Sequence, residues 1–281
     1  MEYVTLNNGV KMPILGYGVY QIADEKECER CVLDAIQVGY RLLDTAQAYG
    51  NEEAVGRAIA KSGVAREELF ITTKVWISNG GYEKAKTSID ESLKKLGLDY
   101  IDLLLIHQPL NDYYGTYRAM EEAYKEGKLR AIGVSNFYPD RLVDLCSFAE
   151  VIPAVNQVET HVFQQQVTPH EWMEKFNVQH ESWGPFAEGR KDFFINPVLI
   201  KIGEKYNKSA AQVALRYLIQ RNIVVIPKSV HKDRMEQNFN VFDFVLSAED
   251  MESILKLDEE ESAFFSHYDP ATIEMLANLV R

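Results

Sequence analysis

The chain is poor in cysteine, in positive charge and in long apolar runs, and each shortage removes a class of function. Three cysteines in 281 residues are too few for a disulfide framework. Cys28 and Cys31 form C-x-x-C, but inside Glu25–Val38, which has helical patterning, and no second pair completes a zinc site. They read as two small residues on a helix face, and no metal is expected. Lys and Arg number 30 against 42 Asp and Glu, a formal net charge of −12. That argues against nucleic acid or an anionic membrane surface as a partner, while leaving room for an anionic small molecule in a local basic pocket. No run approaches the ~18 apolar residues of a membrane span. Met1–Met12 has neither the basic nor the apolar region of a secretory leader, so a cytoplasmic, reducing location is expected. After Gly16-Tyr17-Gly18 the third glycine of a G-x-G-x-x-G fingerprint is missing, which removes the usual signature of a doubly wound open sheet. Those two glycines read instead as a tight turn or as clearance beside a ligand.

What is present is a regular alternation. Asn7-Asn8-Gly9 between Tyr3–Leu6 and Val10–Met12 signals a hairpin. Eight strand-like segments follow: Ile14–Val19, Arg41–Asp44, Leu69–Val75, Ile101–His107, Ala131–Ser135, Ala154–Val158, Val178–Ser182 and Ile223–Ile226. The seventh is short and polar. Between them lie helical patterns, such as Ala85, Ile89, Leu93 and Leu96 on one face. Ser209 and Gln212 form a capping box, and Gly39, Gly63, Gly97 and Gly127 stand where left-handed helix caps want glycine. The length suits one barrel of ~250 residues. The expectation is an α/β protein, a single (β/α)8 TIM barrel domain over residues 1–281, with an N-terminal β-hairpin and extra C-terminal helices, the last starting at Asp269-Pro270.

In such a barrel the chemistry sits at the C-terminal ends of the strands. Asp44, Lys74 and His107 end the second, third and fourth strands, and Tyr49 follows five residues after Asp44. An acid, an ammonium, an imidazole and a phenol are costly to bury without a purpose. As a unit they suit protonation of an oxygen that is gaining negative charge. Lys⁺ pulls the phenol's pKa down, the carboxylate keeps the lysine charged, and the histidine orients a carbonyl. None of them can deliver a hydride, so a cofactor must.

The motifs around these residues resemble those of the aldo-keto reductase family along nearly the whole chain. They are Asp44-Thr45-Ala46 with Tyr49-Gly50-Asn51-Glu52, then Thr73-Lys74, His107-Gln108-Pro109 and Gly133-Val134-Ser135-Asn136-Phe137. Asn156-Gln157-Val158-Glu159 and Ile226-Pro227-Lys228-Ser229 complete the series. Ser182-Trp183-Gly184-Pro185 is similar to bacterial members, the diketogluconate and glyoxal reductases. The resemblance implies NADPH/NADP+ as cofactor and Tyr49 as general acid, tuned by Lys74 and Asp44, with His107 orienting the substrate. It implies Ser135, Asn136 and Gln157 on the nicotinamide carboxamide, and Trp183, followed by Gly184 and Pro185, on the ring. Lys228, Ser229 and Arg234 would hold the 2′-phosphate, with Val230, Gln237 and Asn238 as further cofactor contacts on the adenosine side. Gln237 stands where many members carry an acidic residue, which weakens the expectation of NADPH over NADH.

Tyr20, Trp76 and Gln108 are the expected pocket for a small-molecule carbonyl substrate. The tail around Phe264, Phe265 and His267 either closes the mouth or packs beside the barrel. A monomer is expected. Two other functions fit parts of the pattern: a redox-sensing module that keeps the cofactor without turnover, and an aldolase using Lys74 as a Schiff-base amine.

Overall fold

The computed structural model describes residues 1–279. Eight parallel strands follow one another around a barrel: β3 (Gly16–Gly18), β4 (Leu42–Asp44), β5 (Phe70–Val75), β6 (Leu103–Ile106), β7 (Ile132–Ser135), β8 (Val155–Glu159), β9 (Gln179–Trp183) and β10 (Val224–Val225). The ring closes where Leu15 bridges Val225 in parallel and Val225 N–H donates to Ile14 O at 3.0 Å. This is the (β/α)8 architecture that the alternation predicts. The strands are short, and every residue of β4 to β8 is buried, the polar ones of β5 and β8 included.

The strands alternate with an outer ring of helices: α1 (Glu25–Val38), α2 (Glu52–Lys61), α3 (Tyr82–Leu96), α4 (Tyr113–Lys125), α5 (Pro139–Phe148), α6 (Val167–Lys175), α7 (Pro197–Tyr206), α8 (Ala210–Gln220) and α9 (Lys232–Phe239). Then come α10 (Ala248–Leu255) and α11 (Pro270–Asn278). α3 shows the local logic. Ala85, Ile89, Leu93 and Leu96 form its buried face, and burying each large aliphatic side chain is worth roughly 1.5–3 kcal/mol. Gly97 ends the helix in the left-handed region, and its N–H reaches Leu93 O and Lys94 O. α8 starts with the capping box of Ser209 and Gln212.

The hairpin, β1 (Tyr3–Thr5) with β2 (Lys11–Pro13), turns at Gly9. It covers the base of the barrel: Val4, Leu6 and Met12 are buried, and Asn7 Nδ2 and Asn8 Nδ2 donate to Pro153 O and Arg130 O at 2.9 Å. The opposite end is therefore the open one. Gly16 and Gly18 do not form the tight turn offered for them. They lie within β3, where a Cβ on Gly16 would fall 2.4 Å from Leu42 Cγ and one on Gly18 would fall 3.0 Å from Ile226 O. The clearance observed is for neighbouring strands of a tight barrel, not for a turn.

Candidate active site

The C-terminal mouth brings Asp44, Tyr49, Lys74 and His107 together. Lys74 is fully buried in β5. Its Nζ donates to Asp44 Oδ1 at 2.6 Å, to Thr45 O at 3.0 Å and to the Tyr49 hydroxyl at 3.4 Å. Tyr49 sits on a 3-10 turn, Gln47–Tyr49, that its neighbours brace. Gln47 accepts from Trp76 N–H at 2.9 Å and from Asn79 Nδ2 at 2.8 Å. The Asn51 amide ties the same loop to Val19 O at 3.0 Å and accepts from Thr45 Oγ1 at 2.7 Å. The His107 ring stands edge-on to Tyr49, with centroids 5.6 Å apart, and to Trp76, at 5.1 Å.

The electrostatics separate the roles. Burial works against a charged Lys74, but the Asp44 carboxylate and then Tyr49 outweigh it and hold the ammonium above its usual pKa. A lysine so held is a poor Schiff-base nucleophile, which weighs against the aldolase reading. Loss of water pushes the Tyr49 phenol up to about 12, with Lys74 pulling the other way. The sequence anticipates the pull of Lys74 but not that burial exceeds it. His107 is driven well below its ordinary value by burial and then by Lys74, so its imidazole is neutral. Its Nδ1 is buried with no partner among the described residues. A bare imine nitrogen is cheaper to bury than an unpaired N–H, which favours the tautomer with the proton on Nε2.

On the far side of the mouth, Gln157 Nε2 donates to Asp44 Oδ2 at 2.9 Å and to Glu181 Oε2 at 3.0 Å, leaving Oε1 with no protein donor among the described residues. Ser135 Oγ donates to Gln157 O at 2.8 Å. Asn136 lies in the left-handed region at φ 62°. Its Nδ2 donates to His107 O at 3.1 Å, and its Oδ1 accepts the Trp183 indole N–H at 2.8 Å. Trp183 is thereby held at the end of β9. Gly184, at φ +63°, and the buried Pro185 lead the chain away from it. A clasp from Gln21 Nε2 to Glu188 Oε1, 3.1 Å, joins the loop after β3 to the loop after β9.

Lys228, Ser229, Val230, Arg234, Gln237 and Asn238 gather around the start of α9. Lys228, Arg234 and Gln237 are exposed, whereas Ser229 and Asn238 are buried. Ser229 O accepts the Tyr17 hydroxyl at 2.5 Å, and Val230 O accepts Arg30 Nη2 at 3.1 Å. Neither Lys228 nor Arg234 has a carboxylate partner among the described residues, although neighbouring Lys232 pairs with Asp34 at 3.6 Å.

The expected pocket residues also lie at the mouth. Tyr20 packs on Tyr49 with centroids 5.0 Å apart. Gln108 is buried, and its Oε1 meets His267 Nε2 at 2.6 Å. The tail therefore docks on the mouth. Phe264 and Phe265 lie 5.3 Å and 6.2 Å from the Trp183 ring. Glu159 clamps the tail, accepting Ser262 Oγ at 2.5 Å and Ala263 N–H at 2.8 Å, while His161 Nε2 braces the same carboxylate at 2.9 Å. Glu159 as a clamp and Glu181 beside Gln157 escape a reading of the sequence. The available signal was polarity: β9 runs Gln179-His180-Glu181-Ser182, yet it lies in the barrel wall with His180, Glu181 and Ser182 buried.

Comparison with known proteins agrees with this geometry. The profile of the aldo/keto reductase family matches residues 14–259. The chain is 48% identical to the glyoxal reductase of Bacillus subtilis (strain 168) over 261 residues, 92% of this chain and 94% of that protein. Among solved structures it resembles MGS-M4, an aldo-keto reductase from a Medee basin deep-sea metagenome library. The TM-score is 0.92 with 46% identity, covering 94% of this chain and 98% of the other. It also resembles a Bombyx mori aldo-keto reductase in complex with NADP, with a TM-score of 0.91 and 34% identity, covering 97% of this chain and 96% of that one.

Proposed function

From the premise that the chain belongs to the aldo/keto reductase family, we propose that it reduces aldehydes or ketones to alcohols with NADPH, Tyr49 being the general acid. The observation that carries this reading is the buried Lys74–Asp44 pair at 2.6 Å with the Tyr49 hydroxyl 3.4 Å from the same ammonium. NADPH bound at the mouth would supply the hydride. The chain's own residues handle the rest. His107 donates from Nε2 to the carbonyl oxygen and orients it. Tyr49 gives its proton to that oxygen as negative charge develops there, and Lys74 steadies the resulting phenolate. Asp44 keeps Lys74 charged and fixed.

The residues present fit the cofactor. Gln157 Oε1 is a carbonyl acceptor that the protein leaves unused, suited to a carboxamide N–H. Lys228 and Arg234 are cations without a carboxylate partner among the described residues, suited to a phosphate ester. Ser229 and Val230 would line that phosphate, with Gln237 and Asn238 beside the adenine. Trp183 offers an aromatic face. Asn136 contributes by holding the Trp183 indole, since its own amide is engaged on both sides. Tyr20, Trp76 and Gln108 would border the substrate.

The test is cofactor consumption across methylglyoxal, a keto-sugar, a nitrobenzaldehyde and a steroid ketone, with NADH alongside NADPH. Turnover of at least one of them with NADPH is expected, at a higher kcat/KM than with NADH. Tight NADPH binding with no turnover on any of them would overturn the reductase reading in favour of a redox sensor.

A further inference from the structure

Glu181 is a barrel-interior carboxyl to which the proposed chemistry gives no task. It is fully buried in β9, and the register sets it between Gln157 of β8 and Val224 of β10. Its Oε2 accepts from Gln157 Nε2 at 3.0 Å, while its Oε1 is buried with no partner among the described residues. The same Gln157 nitrogen donates to Asp44 Oδ2 at 2.9 Å, and Lys74 Nζ grips the other Asp44 oxygen. A primary amide has two N–H groups, and here both are spent on carboxyl groups from different strands. The flipped amide would set its carbonyl oxygen against two carboxyl groups. The orientation of Gln157 is therefore dictated by β4 and β9 together.

We propose that Glu181 is a positioning residue: with Asp44 it locks the Gln157 amide so that Oε1 alone faces the cofactor and accepts the N–H of a nicotinamide carboxamide. The inference rests on the NADPH reading above. The charged groups facing Glu181 are Asp44 of β4 and Lys74 of β5. Burial first, and the Asp44 charge second, push its carboxyl above the usual carboxylate range. A leucine at this position would keep the volume and lose the acceptor. A glutamine would keep an acceptor in its carbonyl oxygen.

The experiment measures the Kd of reduced cofactor for the wild type, E181L and E181Q. NADPH is compared with its 3-acetylpyridine analogue, in which a methyl group replaces the carboxamide nitrogen. The wild type and E181Q are expected to favour NADPH over the analogue about tenfold, the size of one well-made hydrogen bond. E181L is expected to bind both equally through the phosphate end. An E181L protein that keeps the tenfold preference would overturn the proposal. Should E181L fail to fold, the wild-type protein without cofactor still decides by NMR. Both side-chain amide protons of Gln157, identified by their loss in Q157L, should exchange slowly, and rapid exchange would overturn the lock. If the wild type does not bind NADPH at all, the cofactor reading is what fails, and the exchange measurement still judges the lock.

Discussion

Lys74 is the residue on which the site turns, because a buried ammonium survives only with a partner. Removing one member of a buried ion pair typically costs about 3–5 kcal/mol, so the pair is there for more than packing. In D44N the carboxylate that outweighs burial is gone, and the pKa of Lys74 falls. As the pH rises, Lys74 then loses its proton earlier than in the wild type, and Tyr49 loses its charged neighbour. The alkaline limb of kcat/KM for carbonyl reduction is expected to move to lower pH in D44N. A pH–rate profile checks this, and a limb that stays in place would contradict it. Asp44, Lys74 and His107 were legible in the sequence because polar groups end apolar runs there, and Tyr49 because it follows Asp44 closely. Glu181 was not, since a glutamate in a short polar segment reads as surface, and only the register of β9 shows it facing Gln157.

At the scale of elements, β4 to β8 were legible as short buried segments, and α3 because its apolar spacing is regular. The turn offered for Gly16 and Gly18 was wrong because sequence does not show what crowds a backbone. The crowding comes from Leu42 and Ile226, distant along the chain. The tail was open to two readings for a similar reason. Its aromatic residues could pack in many places, and what decides is the clamp on Glu159, about a hundred residues earlier. E159Q should weaken that clamp by removing the charge that Ser262 and Ala263 bind. Amide exchange over residues 260–269 is expected to quicken, and KM for the carbonyl substrate to rise with the NADPH Kd unchanged. Unchanged exchange in that segment would mean that Glu159 does not hold it.

Across the whole molecule, two groups of residues meet at one mouth from opposite arcs of the barrel. The arc of β4 to β6 carries the proton-handling set, and the arc of β7 to β10 carries the proposed cofactor contacts. On a chain of net charge −12, Lys228 and Arg234 lie together around the start of α9, where the proposed phosphate would sit. The architecture was legible from the alternation of strands and helices. The division into two arcs needed the strand order, which sequence spacing only suggests. That division makes the central claim testable at a single atom, the Tyr49 hydroxyl oxygen. Single-turnover oxidation of bound NADPH by a reactive aldehyde should be followed in Y49F beside the wild type. NADPH affinity is expected to stay within about twofold, while the rate falls about 10²–10⁴-fold, the range of general acid catalysis. A Y49F rate within tenfold of the wild type would contradict the account.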